Sequence, residues 1–326
     1  MKLINALIAT GTLTLTAGAL PTGVAAADFG PANPFYAPSK LPFSAPPFDR
    51  IKDEDYQPAI EAGMAQQLTE IKRIAGISAP PTFENTFVAM EKSGRLLERA
   101  SDAFDGVSAA NTSPILQSAK TALAAKRAAH ADAIHLNPKL FERVAAIYDR
   151  RNMLKLDPES LRLVEVTYDE FVHFGAKLSD ADKAQLAKLN EEASTLSNEF
   201  SLKLLEATKD AAFVTPVRAA LEGLSESQLS AASQAALDRK TEGYLIPLQN
   251  TTQQPVLASV TDRSTREAIF QKSWSRAERG DANDTRTIIT RLAQIRAQRA
   301  KLLGYSSHAE WQLQDQMAKT PKRRSN

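Results

Sequence analysis

The longest regular stretch of the chain is SDADKAQLAKLNEEASTLSNEFSLKLLEATK, from Ser179 to Lys209. Its apolar side chains recur every three or four residues, which is the spacing of one face of an α-helix. They are Leu186, Leu189, Leu196, Phe200 and Leu204. Ser179 supplies a helix cap, and acidic residues in the next turn suit the positive end of the helix dipole. The stretch therefore predicts one unbroken helix of roughly eight turns.

The same periodicity predicts helices on the N-terminal side of this stretch. The predicted spans are 56–75, a helix from Thr82 onward, 114–135, a helix from Pro138, and 158–178. Three of them begin with a proline in the first turn, where its missing N–H costs no hydrogen bond. In the last of these, Asp157 also provides a helix cap before Pro158.

The pattern changes on the C-terminal side. Residues 212–216 and 243–248 are short apolar runs bounded by proline or glycine, and they predict two paired strands around a helix at 225–237. After Pro255 the helical pattern returns and continues to the end. The predicted fold is all-α: a large array of long antiparallel helices with one minor two-stranded β element.

Composition restricts the classes of function. The chain has 326 residues, 40 basic and 38 acidic, for a net charge of +2. This balance gives no reason to expect binding to nucleic acid or to an anionic membrane. Cysteine is absent, which excludes disulfides, thiolate zinc sites and cysteine nucleophiles.

The first 27 residues are typical of a signal peptide. Lys2 supplies the positive charge, residues 3–20 are largely apolar, and Ala25-Ala26-Ala27 forms a small-residue cleavage site. The alternative is a membrane anchor, but four threonines, an asparagine and two glycines weaken it. We therefore expect a periplasmic or secreted protein that begins at Asp28 and has no membrane segment after cleavage.

A proline-rich lead-in occupies residues 28–50 and contains Phe35, Phe43 and Phe48. Proline at this density prevents regular helix and sheet hydrogen bonding. The phenylalanines favour an extended segment laid on the body of the protein, and a flexible linker is the open alternative.

The histidines do not form a zinc-binding pattern. A helical zinc site needs histidines at positions i and i+4 beside a glutamate. His130 and His135 are five residues apart, so they point roughly 140° apart around the helix; a surface or capping role is favoured. His173 is interpreted as a packed core or rim residue, and His308 follows a serine helix cap that Glu310 would complete as a capping box.

Other hydrolytic and ligand-binding patterns are also missing from the sequence. It contains no G-x-S-x-G and no glycine-rich phosphate loop. The pair Glu191-Glu192 is interpreted as a solvated face. An apolar stripe with a basic outer face around it predicts an amphipathic helix near the end of the chain: the stripe is Ile288, Leu292, Ile295 and Leu302 or Leu303, and the basic residues are Arg291, Arg296, Arg299 and Lys301. Trp274 and Trp311 are predicted core anchors. We predict no catalytic, cofactor-binding or metal-binding residue in this chain.

Several short phrases occur in the order found in one family of peptidases. They are Asn33-Pro34-Phe35, residues 46–51, Phe83-Glu84-Asn85-Thr86, Leu140-Phe141, Arg263-x-x-Arg266, Asn283-Asp284-Thr285, Leu302-Leu303-Gly304-Tyr305 and Met317-Ala318-Lys319-Thr320-Pro321. Together they resemble the N-terminal portion of bacterial peptidyl-dipeptidases, which are thimet-oligopeptidase-like zinc metallopeptidases. The resemblance covers the chain up to Pro321, and the tail 322–326 departs from it.

The resemblance implies a larger enzyme that removes dipeptides from peptide C-termini. In that family an H-E-x-x-H helix and a later glutamate bind zinc, and no position of this chain matches them. We therefore expect residues 51–321 to be the helical N-terminal half of a truncated metallopeptidase, forming one wall and the lid of a substrate channel. Peptides are the expected substrates; zinc is expected only in the full-length enzyme, with the missing C-terminal half.

Two alternatives remain open from the sequence. The chain could be a non-enzymatic periplasmic helical protein that binds peptides or serves as a scaffold. It could also be tethered to a membrane by an uncleaved leader. A half-protein would expose the apolar surface that faced its missing partner, whereas a stand-alone scaffold would not.

Overall fold

The computed structural model describes residues 29–324, so the predicted signal peptide lies outside the described residues. The α-helices in this range are α1 (Asp53–Ala75), α2 (Ala89–Glu91), α3 (Arg95–Ala110), α4 (Pro114–His135), α5 (Pro138–Tyr148), α6 (Pro158–His173), α7 (Asp180–Asp210), α8 (Glu226–Asp238), α9 (Asn250–Ser259), α10 (Arg263–Trp274), α11 (Arg286–Leu302), α12 (His308–Leu313) and α13 (Pro321–Arg324). The strands are β1 (Phe213–Thr215) and β2 (Tyr244–Ile246). The predicted all-α fold with one minor β element is confirmed.

Helices α1 and α3 pack antiparallel at very close range. Tyr56 near the start of α1 lies 5.5 Å from Phe104 near the end of α3, measured between ring centroids. Farther along α1, a Cβ built on Gly63 would lie 2.7 Å from the Leu97 Cα. Glycine is therefore what lets the two backbones approach, because any larger residue would collide with the main chain of α3.

Helix α4 completes this first core and runs parallel to α1. Ser113 before α4 donates to Asp53 at the start of α1 with 2.5 Å between oxygens, and Lys126 pairs with Glu61 farther along both helices. The shared core includes Ile60, Leu116 and Leu123 in addition to the Tyr56 and Phe104 rings.

Part of the proline-rich lead-in belongs to the same core. Phe35 is buried, contacts Tyr56, and its carbonyl oxygen accepts hydrogen bonds from the Arg99 guanidinium. Phe43 is fully exposed and Phe48 is 55% exposed. Of these three phenylalanines only Phe35 holds the segment on the protein, where Asn33 also donates to the Asp55 carbonyl oxygen. Packing of Phe43 and Phe48 was wrongly expected.

The predicted helix from Thr82 is broken in two. A π-helical turn, Glu84–Val88, leads into α2, and the chain then bends at Gly94, whose φ of 73° is left-handed. Ser93 donates back to the Met90 carbonyl oxygen, and the Gly94 N–H donates to Glu70 of α1. These contacts end the helix before α3 begins.

Helices α5 and α6 form a second core against the end of α1. Leu140, Val144 and Ile147 of α5 are buried there with Phe171 of α6. Helix α6 ends at His173, five residues earlier than predicted. Gly175 has a φ of 100°, and the Ala176 N–H donates to the Phe171 carbonyl oxygen, which is the Schellman ending of a helix.

Helix α7 lies between α4 and α11 and is antiparallel to both. Along α4, Asp132, Ala124 and Thr121 contact Asn190, Ser194 and Asn198 of α7 in reverse order. Along α11, Glu192 pairs with Arg291, and Lys203 reaches the Ala282 carbonyl oxygen ahead of α11. Glu191 is exposed and Glu192 keeps 40% of its side chain exposed in this ion pair, so the pair lies on a solvated face as interpreted.

The β element and its surroundings form a third core. Strands β1 and β2 are antiparallel with Phe213 opposite Ile246 and Thr215 opposite Tyr244, and α8 lies between them in the chain, as predicted. Helix α9 begins at Asn250 and includes Pro255, so the helical pattern returns five residues earlier than expected.

Helix α11 ends in the same way as α6. Gly304 has a φ of 84°, and the Tyr305 N–H donates to the Ala300 carbonyl oxygen. The Leu-Leu-Gly-Tyr phrase thus has a physical role as a Schellman cap. Within residues 29–324, no helix combines the length and apolarity needed to cross a lipid bilayer.

Candidate functional site

Three of the four histidines meet at one end of the helical array. His135 closes α4, His173 closes α6, and His308 opens α12. The His135 ring stacks on Phe174 at 4.5 Å, and the His173 ring stacks on Trp311 at 4.5 Å with 10° between their planes. The His308 ring also stacks on Trp311, with 5.5 Å between ring centroids. We call these five rings the aromatic cluster.

Hydrogen bonds fix two of these histidine rings. His135 Nδ1 lies 2.9 Å from the Ala131 carbonyl oxygen, and its Nε2 lies 3.5 Å from Glu170. The hydrogen bond from His135 lowers the pKa of the Glu170 carboxyl. His173 Nδ1 lies 2.9 Å from Gln314 Oε1, and Trp311 Nε1 donates to the His173 carbonyl oxygen. The rings therefore join α4, α6 and α12.

The fourth histidine is separate from the cluster. His130 lies on α4, and burial is the main cause that lowers the pKa of its imidazole. The five-residue spacing from His135 leaves the two rings without a shared ligand position. In residues 29–324, no group of three or more His, Asp or Glu side chains is arranged to hold a metal ion. These side chains do not fit the zinc that the resemblance implies.

The cap of α12 is half of the predicted capping box. Ser307 Oγ accepts from the Glu310 N–H, as expected. The Glu310 carboxylate, however, accepts from the N–H and hydroxyl of Ser306, one residue earlier. These bonds lower the pKa of Glu310, and they commit its carboxylate to the helix cap and not to a metal ligand beside His308.

A cleft of about 390 Å³ lies beside the aromatic cluster, between α6 and the segment after α12. It is lined by both charge signs: Arg162, Asp169, Glu170, Asp315 and Lys319, with Val166, Val172, His173, Phe174 and Gln314. This lining contains no serine or cysteine that could act as a nucleophile beside a base. The cleft can hold a polar molecule, and its lining carries no nucleophilic hydrolytic site.

A second cavity of about 400 Å³ lies among α4, α7 and α11. Asp132, Asn190 and Arg299 supply its two charged groups and its amide, one from each helix. Phe174, Ser194, Ser197 and three alanines complete the lining. Asn190 Nδ2 donates to Asp132 Oδ1 at 2.6 Å. Burial raises the pKa of the Asp132 carboxyl and lowers that of the Arg299 guanidinium. We call this space the three-helix cavity.

Sequence reasoning missed the three-helix cavity and misplaced two side chains. Arg299 was assigned to a basic outer face, but its guanidinium carbon lies 5.3 Å from the Trp311 ring centroid and its Nε is buried. Trp274 was predicted to be a core anchor and is 71% exposed. Helical periodicity places residues on a face of their own helix, and only the packing of neighbouring helices decides which parts of that face are covered.

Comparison with known proteins bears on these observations. Residues 256–326 match the model of peptidase family M3. The chain is also 49% identical over 290 residues to the dipeptidyl carboxypeptidase of Escherichia coli, a match that covers 89% of this chain. The chain is related to peptidase family M3.

Further relatives agree with this M3 relationship. The dipeptidyl carboxypeptidase of Salmonella typhimurium is 47% identical over 290 residues, and the organellar oligopeptidase A of Arabidopsis thaliana is 27% identical over 287 residues. These matches cover 89% and 86% of this chain. The M3-related chain spans 43% of the length of both bacterial dipeptidyl carboxypeptidases and 36% of the plant protein.

Proposed function

We propose that this chain is the N-terminal helical part of a peptidyl-dipeptidase that releases dipeptides from the C-termini of peptides. The observation that carries the proposal is the 49% identity to E. coli dipeptidyl carboxypeptidase, which extends over 89% of the chain. The match is spread across the whole helical array and is not confined to one motif. In the complete enzyme these helices would form one wall and the lid of the substrate channel.

The chain by itself is proposed to bind no catalytic zinc and to hydrolyse no peptide. Zinc peptidases need an open metal site that activates a water molecule, together with a carboxylate that acts as general base. In the aromatic cluster, His135 is instead held by a backbone carbonyl and a carboxylate, and His173 by an amide. Catalysis is therefore assigned to the part of the bacterial relatives that lies beyond this match.

A chimera tests the assignment of the missing part. Residues 28–321 of this chain would replace the matching N-terminal portion of E. coli dipeptidyl carboxypeptidase. We expect the chimera to bind zinc and release dipeptides from a short N-acetylated peptide. The remaining portion of the E. coli enzyme expressed alone is the negative control, and the intact enzyme is the positive control.

The outcome of the chimera experiment is decisive only if the protein folds. Circular dichroism and gel filtration would establish this first. A folded chimera that binds zinc but releases no dipeptide would contradict the proposed role of these helices. Dipeptide release by the remaining portion alone, at the rate of the intact enzyme, would show that they are not needed.

An exported location is a separate proposal that depends on residues 1–27. We infer that cleavage after Ala27 releases the protein into the periplasm or the medium, because these residues combine a positive start, an apolar stretch and a small-residue site. Expression of the complete chain in a bacterial host, followed by N-terminal sequencing of the periplasmic fraction, tests it. Asp28 is the expected first residue; a chain that retains Met1 in the membrane fraction would contradict it.

A further inference from the structure

Arg299 is a covered cation without a hydrogen-bonding partner among the described residues. Its Nε is buried and unpaired, and within residues 29–324 the guanidinium forms no ion pair. It lies over the face of the Trp311 ring. An arginine has five N–H donors in a planar fork that matches a carboxylate. Within residues 29–324 no hydrogen bond joins Arg299 to the carboxylate or the amide that line the same cavity. A covered donor without a bonded acceptor is costly unless a ligand supplies one.

Two acceptors in the same cavity are also incompletely used. Asp132 and Asn190 bond each other through one atom each, which leaves Asp132 Oδ2 and Asn190 Oδ1 buried and unpaired. Both are covered by neighbouring side chains, so a ligand must displace those side chains slightly to reach them. Buried polar atoms are normally paired, and three exceptions on three helices around one cavity indicate a site with spare bonding capacity.

We propose that the three-helix cavity binds a small zwitterion, an amino acid or a short peptide with both ends free. The carboxylate of the ligand would accept hydrogen bonds from the Arg299 guanidinium. Its ammonium group would lie beside Asp132 and the amide oxygen of Asn190. A cavity of about 400 Å³ accommodates a molecule of this size. The site requires no zinc and no catalytic step, and it lies wholly within this chain.

The chemistry of the lining disfavours other ligands. A divalent cation would find one carboxylate and one amide oxygen beside a positive guanidinium, fewer ligands than calcium or magnesium takes. A simple anion would be repelled by Asp132. A molecule that carries both charges finds a partner for each: the Arg299 guanidinium for its carboxylate and the Asp132 carboxylate for its ammonium group.

Trp311 provides a direct readout of binding. The chain contains two tryptophans, so Trp274→Phe leaves Trp311, the ring beneath Arg299, as the only indole. We expect alanylalanine to change its fluorescence in a saturable manner. N-acetyl-alanylalanine, which lacks the ammonium, and alanylalanine amide, which lacks the carboxylate, should each bind about tenfold more weakly or worse. Free alanine, titrated in parallel, distinguishes an amino-acid site from a peptide site.

Variants separate the site from general effects on the fold. Arg299→Gln should weaken alanylalanine binding at least about tenfold, measured by calorimetry so that the result does not depend on tryptophan. Lys301→Gln, an exposed position two residues later on α11, is the control and should bind as the parent does. If Arg299→Gln unfolds, Arg299→Lys, which keeps the charge and loses the fork, should still bind more weakly than the parent.

Three results would overturn the proposal. They are the absence of saturable binding at millimolar alanylalanine, equal binding of an analogue blocked at both ends, and unchanged affinity in folded Arg299→Gln. None of these results depends on the activity of the complete peptidase, so the site can fail while the proposed function stands, and the reverse also holds.

Discussion

Replacing Gly63 by alanine sets helix propensity against packing, and the structure predicts that packing wins. Gly63 is a buried residue in the interior of α1. In an exposed helix, the change from glycine to alanine stabilises by about 1 kcal/mol. Here the new methyl group would lie 2.7 Å from the backbone N and Cα of Leu97, far inside ordinary van der Waals contact.

The size of the effect follows from what must move. The obstructing atoms are main-chain atoms of α3, so no side-chain rotation can relieve the collision and the helix itself must shift by several tenths of an ångström. Overpacking of this kind costs about 1–3 kcal/mol, and a backbone obstacle places the cost at the upper end. After subtraction of the propensity gain, we expect the free energy of unfolding to fall by about 1–2 kcal/mol.

Gly106 of α3 provides the matched control. It too lies inside a helix, but a Cβ at this position would meet nothing within 4 Å. Gly106→Ala should therefore raise the free energy of unfolding by about 0.5–1 kcal/mol. Urea unfolding followed by circular dichroism measures both variants. Stabilisation by Gly63→Ala equal to that by Gly106→Ala would refute the close approach of α1 and α3.

Three further predictions concern single residues. Arg143→Met should lower the free energy of unfolding by about 3–5 kcal/mol in urea titrations. The reason is that the buried guanidinium donates to the Ile77 and Ala79 carbonyl oxygens and to Asn85. Lys139→Met, at an exposed position, is the control, and equal effects of the two changes would contradict the role of these bonds. Gly175→Ala should lower the free energy of unfolding by more than about 1 kcal/mol, because φ is 100° and the methyl group would lie 2.8 Å from a Leu186 methyl carbon. An unchanged free energy in the same assay would contradict the Schellman ending of α6. Hydrogen bonds from Ser264 and Thr265 lower the pKa of Asp262, the cap of α10, to about 2. The stabilising effect of this carboxylate is therefore full above about pH 4 and is lost as the pH falls through 2. The stability difference between the parent and Asp262→Ala should shrink over that range, and a constant difference would contradict the lowered pKa.

Much of the fold was predictable because it depends on local patterns. Prolines at 114, 138 and 158 each begin a helix, and the capping serine and acidic first turn of α7 begin the longest one. The errors occurred where a single glycine conformation decides the path. Gly94 and Gly175 adopt left-handed backbone angles that end their helices, and nothing in the periodicity of the flanking residues distinguishes them from glycines that a helix tolerates, such as Gly106.

The candidate site was less predictable, for a different reason. Asp132, Asn190 and Arg299 are far apart in sequence and come together only because α7 packs antiparallel to both α4 and α11. Each residue alone has an ordinary position on an amphipathic helix. The same applies to His173 and Trp311, whose stacking joins two helices that are distant along the chain. The family resemblance was predictable because it depends on the order of short phrases, and packing does not change that order.

Zinc content and dipeptide release of the purified chain, measured on the same sample, test the central claim most directly. The account predicts less than one-tenth of an equivalent of zinc after dialysis, on the order of background binding, and no dipeptide released from an N-acetylated peptide that E. coli dipeptidyl carboxypeptidase cleaves under the same conditions. One equivalent of tightly bound zinc together with dipeptide release would contradict it.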